Sequence, residues 1–152
     1  MVRTAISPCL VAIAGLVFGQ PASAQVAVDG DTLQLKGATF RLHGIDTPEL
    51  SQVCGDGWPA GHAARDYLAD LIGAKTVTCT TKMGQFDHEI TAICKADGID
   101  LGAAMVTGGY ALAFVPYSAR YITQEDAAAS AHRGVHGHKC AAPWKKSRRG
   151  EK

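Results

Sequence analysis

Acidic side chains and one arginine lie close together in the chain between Asp29 and Glu49. Asp31 follows Asp29 across a single glycine, and Arg41 precedes the run Asp46-Thr47-Pro48-Glu49. Carboxylates bind hard cations such as calcium, and the planar guanidinium of an arginine binds phosphate through paired hydrogen bonds. The segment therefore contains the groups that could neutralise a phosphate ester and activate a water molecule against it.

The secondary structure expected for this stretch is a β-hairpin. Val26 to Lys36 alternates apolar and polar residues, which predicts a strand, and Ala38 to Gly44 is the return strand after a turn at Lys36-Gly37. A loop rich in glycine and proline follows from Thr47 to Gly61. An isolated Asp-Gly-Asp is usually turn chemistry, and an isolated strand arginine is usually a surface residue. The residues therefore indicate a site only as an assembled set.

Helical and strand patterns follow one another in the rest of the chain. Pro59 to Ile72 has an apolar helical face, and Gly73 fits its C-terminal cap. The other predicted elements are strands at Lys75–Thr81 and Glu89–Ala96, a helix from Leu101 to Gly108-Gly109, a strand at Tyr110–Val115 and a helix at Ser118–His132. This order predicts an α+β fold with a small, mostly antiparallel barrel.

Residues 1–24 are predicted to be a signal peptide. Arg3 precedes the apolar run Leu10–Phe18, which is too short to span a bilayer, and Ala22-Ser23-Ala24 fits the small-x-small cleavage rule. A retained membrane anchor is the alternative, and the small-residue site argues against it. We expect an exported monomer in the periplasm or the medium, with no membrane contact after cleavage and with residues 25–144 as one domain.

The charge balance does not indicate a dedicated DNA-binding domain. The full chain has 15 Lys and Arg against 14 Asp and Glu, and cleavage would remove Arg3 alone among them. Nucleic-acid-binding domains are usually more basic. Residues 145–152 form a basic tail. A solvated chain end is a simpler interpretation of this tail than a specific contact with nucleic acid.

The cysteines that follow the predicted cleavage site favour two disulfides, because their number is even in an exported chain. The three possible pairings remain open from composition alone. Two predicted strands would place Cys79 opposite Cys94, which leaves Cys54 for Cys140. No C-x-x-C spacing typical of zinc sites is present.

A histidine cluster near Cys140 allows a different interpretation. His132, His136 and His138 could bind a transition metal if the last helix extended through them. Glycines at positions 134 and 137 interrupt that geometry. A polar loop with a disulfide-bonded cysteine is therefore the preferred interpretation.

An ordered series of motifs resembles the staphylococcal-nuclease-like (thermonuclease) family. The motifs are Asp29-Gly30-Asp31-Thr32, Arg41-Leu42-x-Gly44-Ile45-Asp46-Thr47-Pro48-Glu49, Gly98-x-Asp100-Leu101, Tyr117-Ser118-x-x-Tyr121-x-x-x-Glu125, Gly134-x-x-Gly137 and Pro143-Trp144. One short motif can arise by chance, whereas an ordered series from Val26 to Trp144 is specific. The resemblance implies a five-stranded OB-type β-barrel with three helices, and calcium-dependent hydrolysis of phosphodiesters in DNA or RNA.

The resemblance also implies a role for each matching residue. Asp31 and Asp46 would ligate calcium, with the carbonyl oxygen of Thr47 as a neutral ligand. Glu49 would take a proton from the attacking water or orient it. Arg41 would bind phosphate oxygens as their negative charge increases. Single-stranded or denatured nucleic acid is the substrate that the resemblance implies.

The sequence departs from the family pattern at one position that bears on activity. The family has a second arginine on the later hairpin, and alignment on Ala92-Ile93-Cys94 places Glu89 there. No arginine occurs between Arg65 and Arg120, so a small register error cannot restore it. An acid repels phosphate and accepts hydrogen bonds where a guanidinium would donate them. The sequence therefore predicts a weak or inactive nuclease.

Two alternatives without catalysis are also open. The first is an OB-type binding module that has kept the fold and lost the chemistry, since such barrels bind oligosaccharides as well as oligonucleotides. The second is an accessory protein of exopolysaccharide (succinoglycan) biosynthesis, because small exported proteins that resemble this family occur in such gene clusters. A polysaccharide would then be the ligand.

Overall fold

The computed structural model describes residues 25–86 and 89–140. The elements, in chain order, are β1 Gln25–Ala27, β2 Thr32–Leu35, β3 Ala38–Leu42, β4 Ile45–Asp46, α1 Ala60–Ile72, β5 Val77–Phe86, β6 Glu89–Ala96, β7 Ile99–Asp100, α2 Leu101–Thr107, β8 Leu112–Ala113 and α3 Ile122–Ser130, followed by a 3-10 turn at Gly134–His136. The predicted signal peptide, the basic tail and Pro143-Trp144 lie outside the described residues.

The strands form one mixed sheet and one small separate sheet. In the larger sheet the order is β1-β2-β3-β6-β5, with β7 paired to β6, while β4 pairs with β8. The β3–β6 pair is parallel and the other pairs are antiparallel. The mixed sheet and three α-helices fit the predicted α+β, OB-like class. Closure into a five-stranded barrel remains a prediction.

The predicted strand from Val26 to Lys36 is wrong, because the chain turns back within it. β1 and β2 pair with each other in antiparallel fashion, and Asp29-Gly30-Asp31 forms the bend between them. The Asp31 amide donates to the Asp29 carboxylate at 3.0 Å, which is the local hydrogen bond that favours such bends. The alternation of apolar residues in a single strand would place Val26 and Val28 on the buried face, but they are 51% and 41% exposed. The bend places Asp31 directly before the first residue of β2.

The turn predicted at Lys36-Gly37 connects β2 to β3. Both residues have positive φ, 52° and 81°, as the tight turns that fit twisted β-hairpins require. β5 extends to Phe86, beyond the predicted end at Thr81, because it continues to pair with β6 as far as Glu89. The predicted strand at Tyr110–Val115 is reduced to β8.

The third helix is shorter than predicted. It begins at Ile122 instead of Ser118 and ends at Ser130. Tyr121 precedes it with a non-helical φ of −115°, and its side chain is packed into the core at 2% exposure. Anchoring this ring fixes the start of the helix. The 3-10 turn that follows was not predicted.

The main core lies between the larger sheet and the helices. Its buried members include Leu33, Leu42, Ile45, Leu68, Ile72, Ala92, Leu101, Met105, Val106 and Tyr121. α1 contributes the apolar face that its 3.6-residue spacing predicts. No helix in residues 25–86 and 89–140 combines the length and apolarity needed to cross a bilayer.

Both predicted disulfides are present. Cys79 and Cys94 are opposite each other on β5 and β6, and Cys54 joins Cys140 across a separation of 86 residues. Near the second bridge, His138 Nδ1 lies 2.8 Å from Asp56 Oδ2. The alternative metal site is therefore not supported, because Cys140 is bonded to sulfur and no group of three metal-ligating side chains occurs in the described residues.

Asp100 connects α2 to the segment that precedes α3. Its carboxylate accepts hydrogen bonds from Ala103 N, Tyr121 Oη and Arg120 Nη2, each at 3.0 Å. Burial, followed by the negative charge of Asp100, raises the pKa of Tyr121 to about 12. Two of the family motifs meet in this network.

Replacing Asp100 by Ala should lower the free energy of unfolding by about 2–3 kcal/mol. The variant loses a helix cap and leaves the hydroxyl of a buried tyrosine without its acceptor. Urea unfolding monitored by circular dichroism measures the change. Asp66→Ala is the control, because Asp66 is exposed and pairs with its neighbour Arg65. Equal stability of the two variants would contradict this role.

Candidate active site

A pocket of about 100 Å³ lies between the β1–β2 bend, β3 and the loop that follows β4. It is lined by Asp29, Asp31, Thr32, Arg41, Thr47, Pro48, Glu49 and Leu50. Asp31, Arg41, Thr47 and Glu49, which the sequence singled out, therefore meet at one place. Asp46 lies outside this lining, half-buried in β4 opposite Leu112. The chemical roles assigned to these residues remain predictions.

Strand register brings Arg41 to Asp31. Thr32 is opposite Arg41 in the antiparallel β2–β3 pair, and the Leu42 amide donates to the Asp31 carbonyl at 2.7 Å. Arg41 Nη2 then donates to Asp31 Oδ2 at 2.9 Å. The Arg41 side chain is 42% exposed and that of Asp31 only 5%. The arginine thus forms an ion pair on one side and faces solvent on the other.

Burial determines the electrostatics of Asp31. Removal from water raises the pKa of its carboxyl group to about 7, although the positive charge of Arg41 acts to lower it and the carboxylate of Asp29 raises it further. Thr32 Oγ1 donates to Asp31 Oδ1 at 2.9 Å. With its pKa close to neutrality, the Asp31 carboxyl group is only partly ionised at neutral pH, because Arg41 offsets only part of the cost of burying the charged form.

The donor set at the pocket fits a hard divalent cation. Asp31 provides a carboxylate, and Thr47 provides hydroxyl and carbonyl oxygens. Calcium takes about six to eight oxygen ligands and accepts water for several of them. A cation would offset the desolvated charge that raises the pKa of Asp31. The described residues hold no preassembled group of three ligating side chains. A bound cation would compete with Arg41 for the Asp31 carboxylate, because the guanidinium already donates to Asp31 Oδ2.

β4, which carries Asp46, is positioned through α3. Ile45 pairs with Ala113 of β8, and the Ala113 amide donates to Glu125 Oε2 of α3 at 2.7 Å. Glu125 thus holds β8, the strand with which Ile45 and Asp46 of β4 pair. Glu125 belongs to the family motif Tyr117-Ser118-x-x-Tyr121-x-x-x-Glu125, and its hydrogen bond to β8 provides a structural role for it.

Asp29 is an acidic residue of the pocket to which the sequence analysis assigned no chemical role. It lines the cavity, and its carboxylate is within hydrogen-bond distance of the Asp31 amide. Its spacing from Asp31 was explained by turn formation alone. The two acids that flank Gly30 are the feature of the sequence that could have indicated a place for Asp29 in the site.

The position of Glu89 lies on the strand beside Arg41. β6 begins at Glu89, and Thr91, two residues later, pairs with Arg41 across the parallel β3–β6 ladder. The backbone alignment therefore places this position close to the arginine that would bind phosphate.

Asp31→Asn should stabilise the calcium-free protein, and the gain should grow with pH. The folded-state pKa is raised from 3.8 to about 7, so the stability contributed by this group is present at low pH and is lost as pH rises between those values. Asparagine has no such dependence. The gain in the free energy of unfolding from Asp31→Asn should therefore increase by roughly 4 kcal/mol from pH 4 to pH 8.

Urea unfolding in EDTA at the two pH values tests this prediction. Arg41 remains half-exposed in the variant and can be solvated by water, so loss of its partner should cost little. Asp66→Asn is the control on an exposed carboxylate. An advantage of Asp31→Asn that stays constant with pH would contradict the prediction.

The chain matches one known protein family over most of its described residues. The staphylococcal nuclease homologue family matches residues 39–136, from β3 to the 3-10 turn. The chain belongs to this family, which confirms the resemblance based on its motifs and indicates a nuclease-type function. The bend at Asp29-Gly30-Asp31 precedes the matched range. A search of curated proteins found no match.

Proposed function

We propose that this protein is an exported, calcium-dependent phosphodiesterase of the nuclease type, slowed by the lack of a second arginine. The observation that carries the proposal is the meeting of Asp31, Arg41, Thr47 and Glu49 at one pocket in a chain of the nuclease family. Two disulfides are consistent with export, because such bonds persist in oxidising compartments. Denatured or single-stranded nucleic acid is the proposed substrate.

Asp31, Asp46 and the carbonyl oxygen of Thr47 are the proposed holders of calcium, which when bound polarises a phosphate and supplies an activated water. Glu49 is exposed at the rim of the pocket, where it can accept a proton from that water. Arg41 donates hydrogen bonds to phosphate oxygens as charge accumulates on them.

The ion pair between Arg41 and Asp31 links these roles. Their 2.9 Å contact occupies an oxygen of the proposed ligand. A calcium ion bound to Asp31 would balance the negative charge of its carboxylate in place of Arg41. The guanidinium of Arg41 would then be available to bind phosphate. Because the Arg41 side chain is 42% exposed, it can make this exchange without disrupting the core.

A non-catalytic module of the same fold is the second candidate. Two features favour it. An acid at position 89, on the strand that pairs with β3, would repel phosphate, and Arg41 is already engaged in an ion pair with Asp31. The succinoglycan-associated role is one form of this candidate, with a polysaccharide as ligand. A gene neighbourhood of glycosyltransferases and polymer exporters would favour that form.

Glu49→Gln should reduce calcium-dependent cleavage of denatured DNA by about a hundredfold, because the amide cannot accept the proton from water. Release of acid-soluble nucleotides with calcium, and with EDTA as the blank, measures the rate. Asp66→Asn should retain the wild-type rate. If wild type and Glu49→Gln are equally inert while calcium still raises the melting temperature, the non-catalytic candidate is correct.

A further inference from the structure

Helix α1 begins in direct contact with the loop that carries Glu49, and a glycine makes this contact possible. A Cβ atom at Gly61 would overlap the backbone carbonyl oxygen of Glu49 and lie 2.5 Å from that of Leu50. Real Cβ atoms essentially never approach other heavy atoms within 3.0 Å. Any residue larger than glycine at this position must therefore displace the loop or the helix.

Backbone hydrogen bonds cross the same contact. The Gly61 amide donates to the Gln52 carbonyl at 3.2 Å, and the Gln52 amide donates to the Glu49 carbonyl at 2.7 Å. Gln52 itself is 2% exposed. Glu49 is thus tied to the first turn of α1 through two consecutive bonds, although its side chain faces solvent.

The bend that carries Asp31 contacts the same helix one turn later. A Cβ at Gly30 would lie 2.8 Å from the Cβ of Ala64 and 3.0 Å from that of Thr47. Gly61 and Ala64 are three residues apart and share one face of α1. Both acid-bearing segments of the pocket are therefore held against small residues of one helix.

We infer that Gly61 is a positioning residue that fixes Glu49 relative to Asp31 and Arg41. The inference rests on the proposed function, in which Glu49 accepts a proton from water. A methyl group at position 61 would push the Glu49 backbone away from α1, while the Asp31 bend would stay in place against Ala64. A misplacement of about 1 Å can cost a hundredfold in rate.

Gly61→Ala is the test, with Gly102→Ala as its matched control. Both glycines lie in the first turn of a helix, and a Cβ at Gly102 would lie 2.8 Å from Tyr121 Oη, away from the pocket. Gly61→Ala should lower kcat on denatured DNA with calcium at least tenfold and leave KM within twofold. Gly102→Ala should keep both parameters within twofold of wild type.

Hydrogen exchange of backbone amides provides a readout that does not depend on cleavage. Gly61→Ala should accelerate exchange at least tenfold at the amides of residues 52 and 61, and Gly102→Ala should not. If the wild type does not cleave DNA, the proposed function fails and exchange alone decides the inference. The inference would be overturned if the amides of residues 52 and 61 exchanged in Gly61→Ala at the wild-type rate. It would also be overturned if the wild type cleaved DNA and Gly61→Ala had the same kcat.

Discussion

Glu89→Arg should raise calcium-dependent cleavage of denatured DNA by about a hundred- to a thousandfold. One hydrogen-bond donor to the charge of a transition state contributes roughly that factor. The position is suitable for such a donor, because Glu89 begins β6 and Thr91 of the same strand pairs with Arg41. The substitution also removes a negative charge that repels phosphate.

Two further variants separate these contributions. Glu89→Gln removes the negative charge without adding a guanidinium. Glu89→Lys adds a positive charge that cannot form paired hydrogen bonds to a phosphate. We expect the initial velocity at saturating calcium to be highest with Arg at position 89 and to decrease through Lys and Gln to the wild-type Glu. A rate for Glu89→Arg no higher than that of the wild type would contradict the assignment of this position to phosphate binding.

Removal of the Cys54–Cys140 bridge should lower the free energy of unfolding by about 4–5 kcal/mol in the chain-entropy treatment. The bridge closes a loop across 86 residues, so its loss frees much of the unfolded chain. It also anchors the segment between β4 and α1, since the Gly55 amide donates to the Lys139 carbonyl at 2.8 Å beside it. The segment carries Thr47 and Glu49 at its start.

The double variant Cys54→Ala/Cys140→Ala, unfolded in urea and compared with the wild type, measures this contribution. Asp56→Ala is the control, because it removes the nearby contact with His138 and leaves the bridge intact. A double variant as stable as Asp56→Ala would show that the bridge does not constrain the chain.

Local patterns in the sequence were sufficient to predict several features. The 3.6-residue spacing of apolar positions predicted α1, and the strands around Cys79 and Cys94 predicted their pairing. The acid and arginine residues of the first hairpin were predicted to share a site, and most of them line one pocket. These features depend on short-range chemistry that the residue types express directly.

Features that depend on tertiary contacts were not predicted. Alternating residues on both sides of Asp29-Gly30-Asp31 suggested one strand, whereas the bend chemistry divides it into two. The start of α3 depends on burial of Tyr121 against Asp100, which are distant in sequence. The contact between Gly61 and Glu49 was not predicted, because a glycine has no side chain to indicate its neighbours.

Calorimetric titration of calcium into the wild type and Asp31→Asn tests the central claim most directly. We predict one calcium ion bound per wild-type chain, and binding at least a hundredfold weaker in the variant, whose amide cannot supply the charge of a carboxylate. Wild-type protein that binds no calcium, or an Asp31→Asn variant that binds it as tightly, would contradict the claim that this pocket is a cation-dependent phosphodiester site.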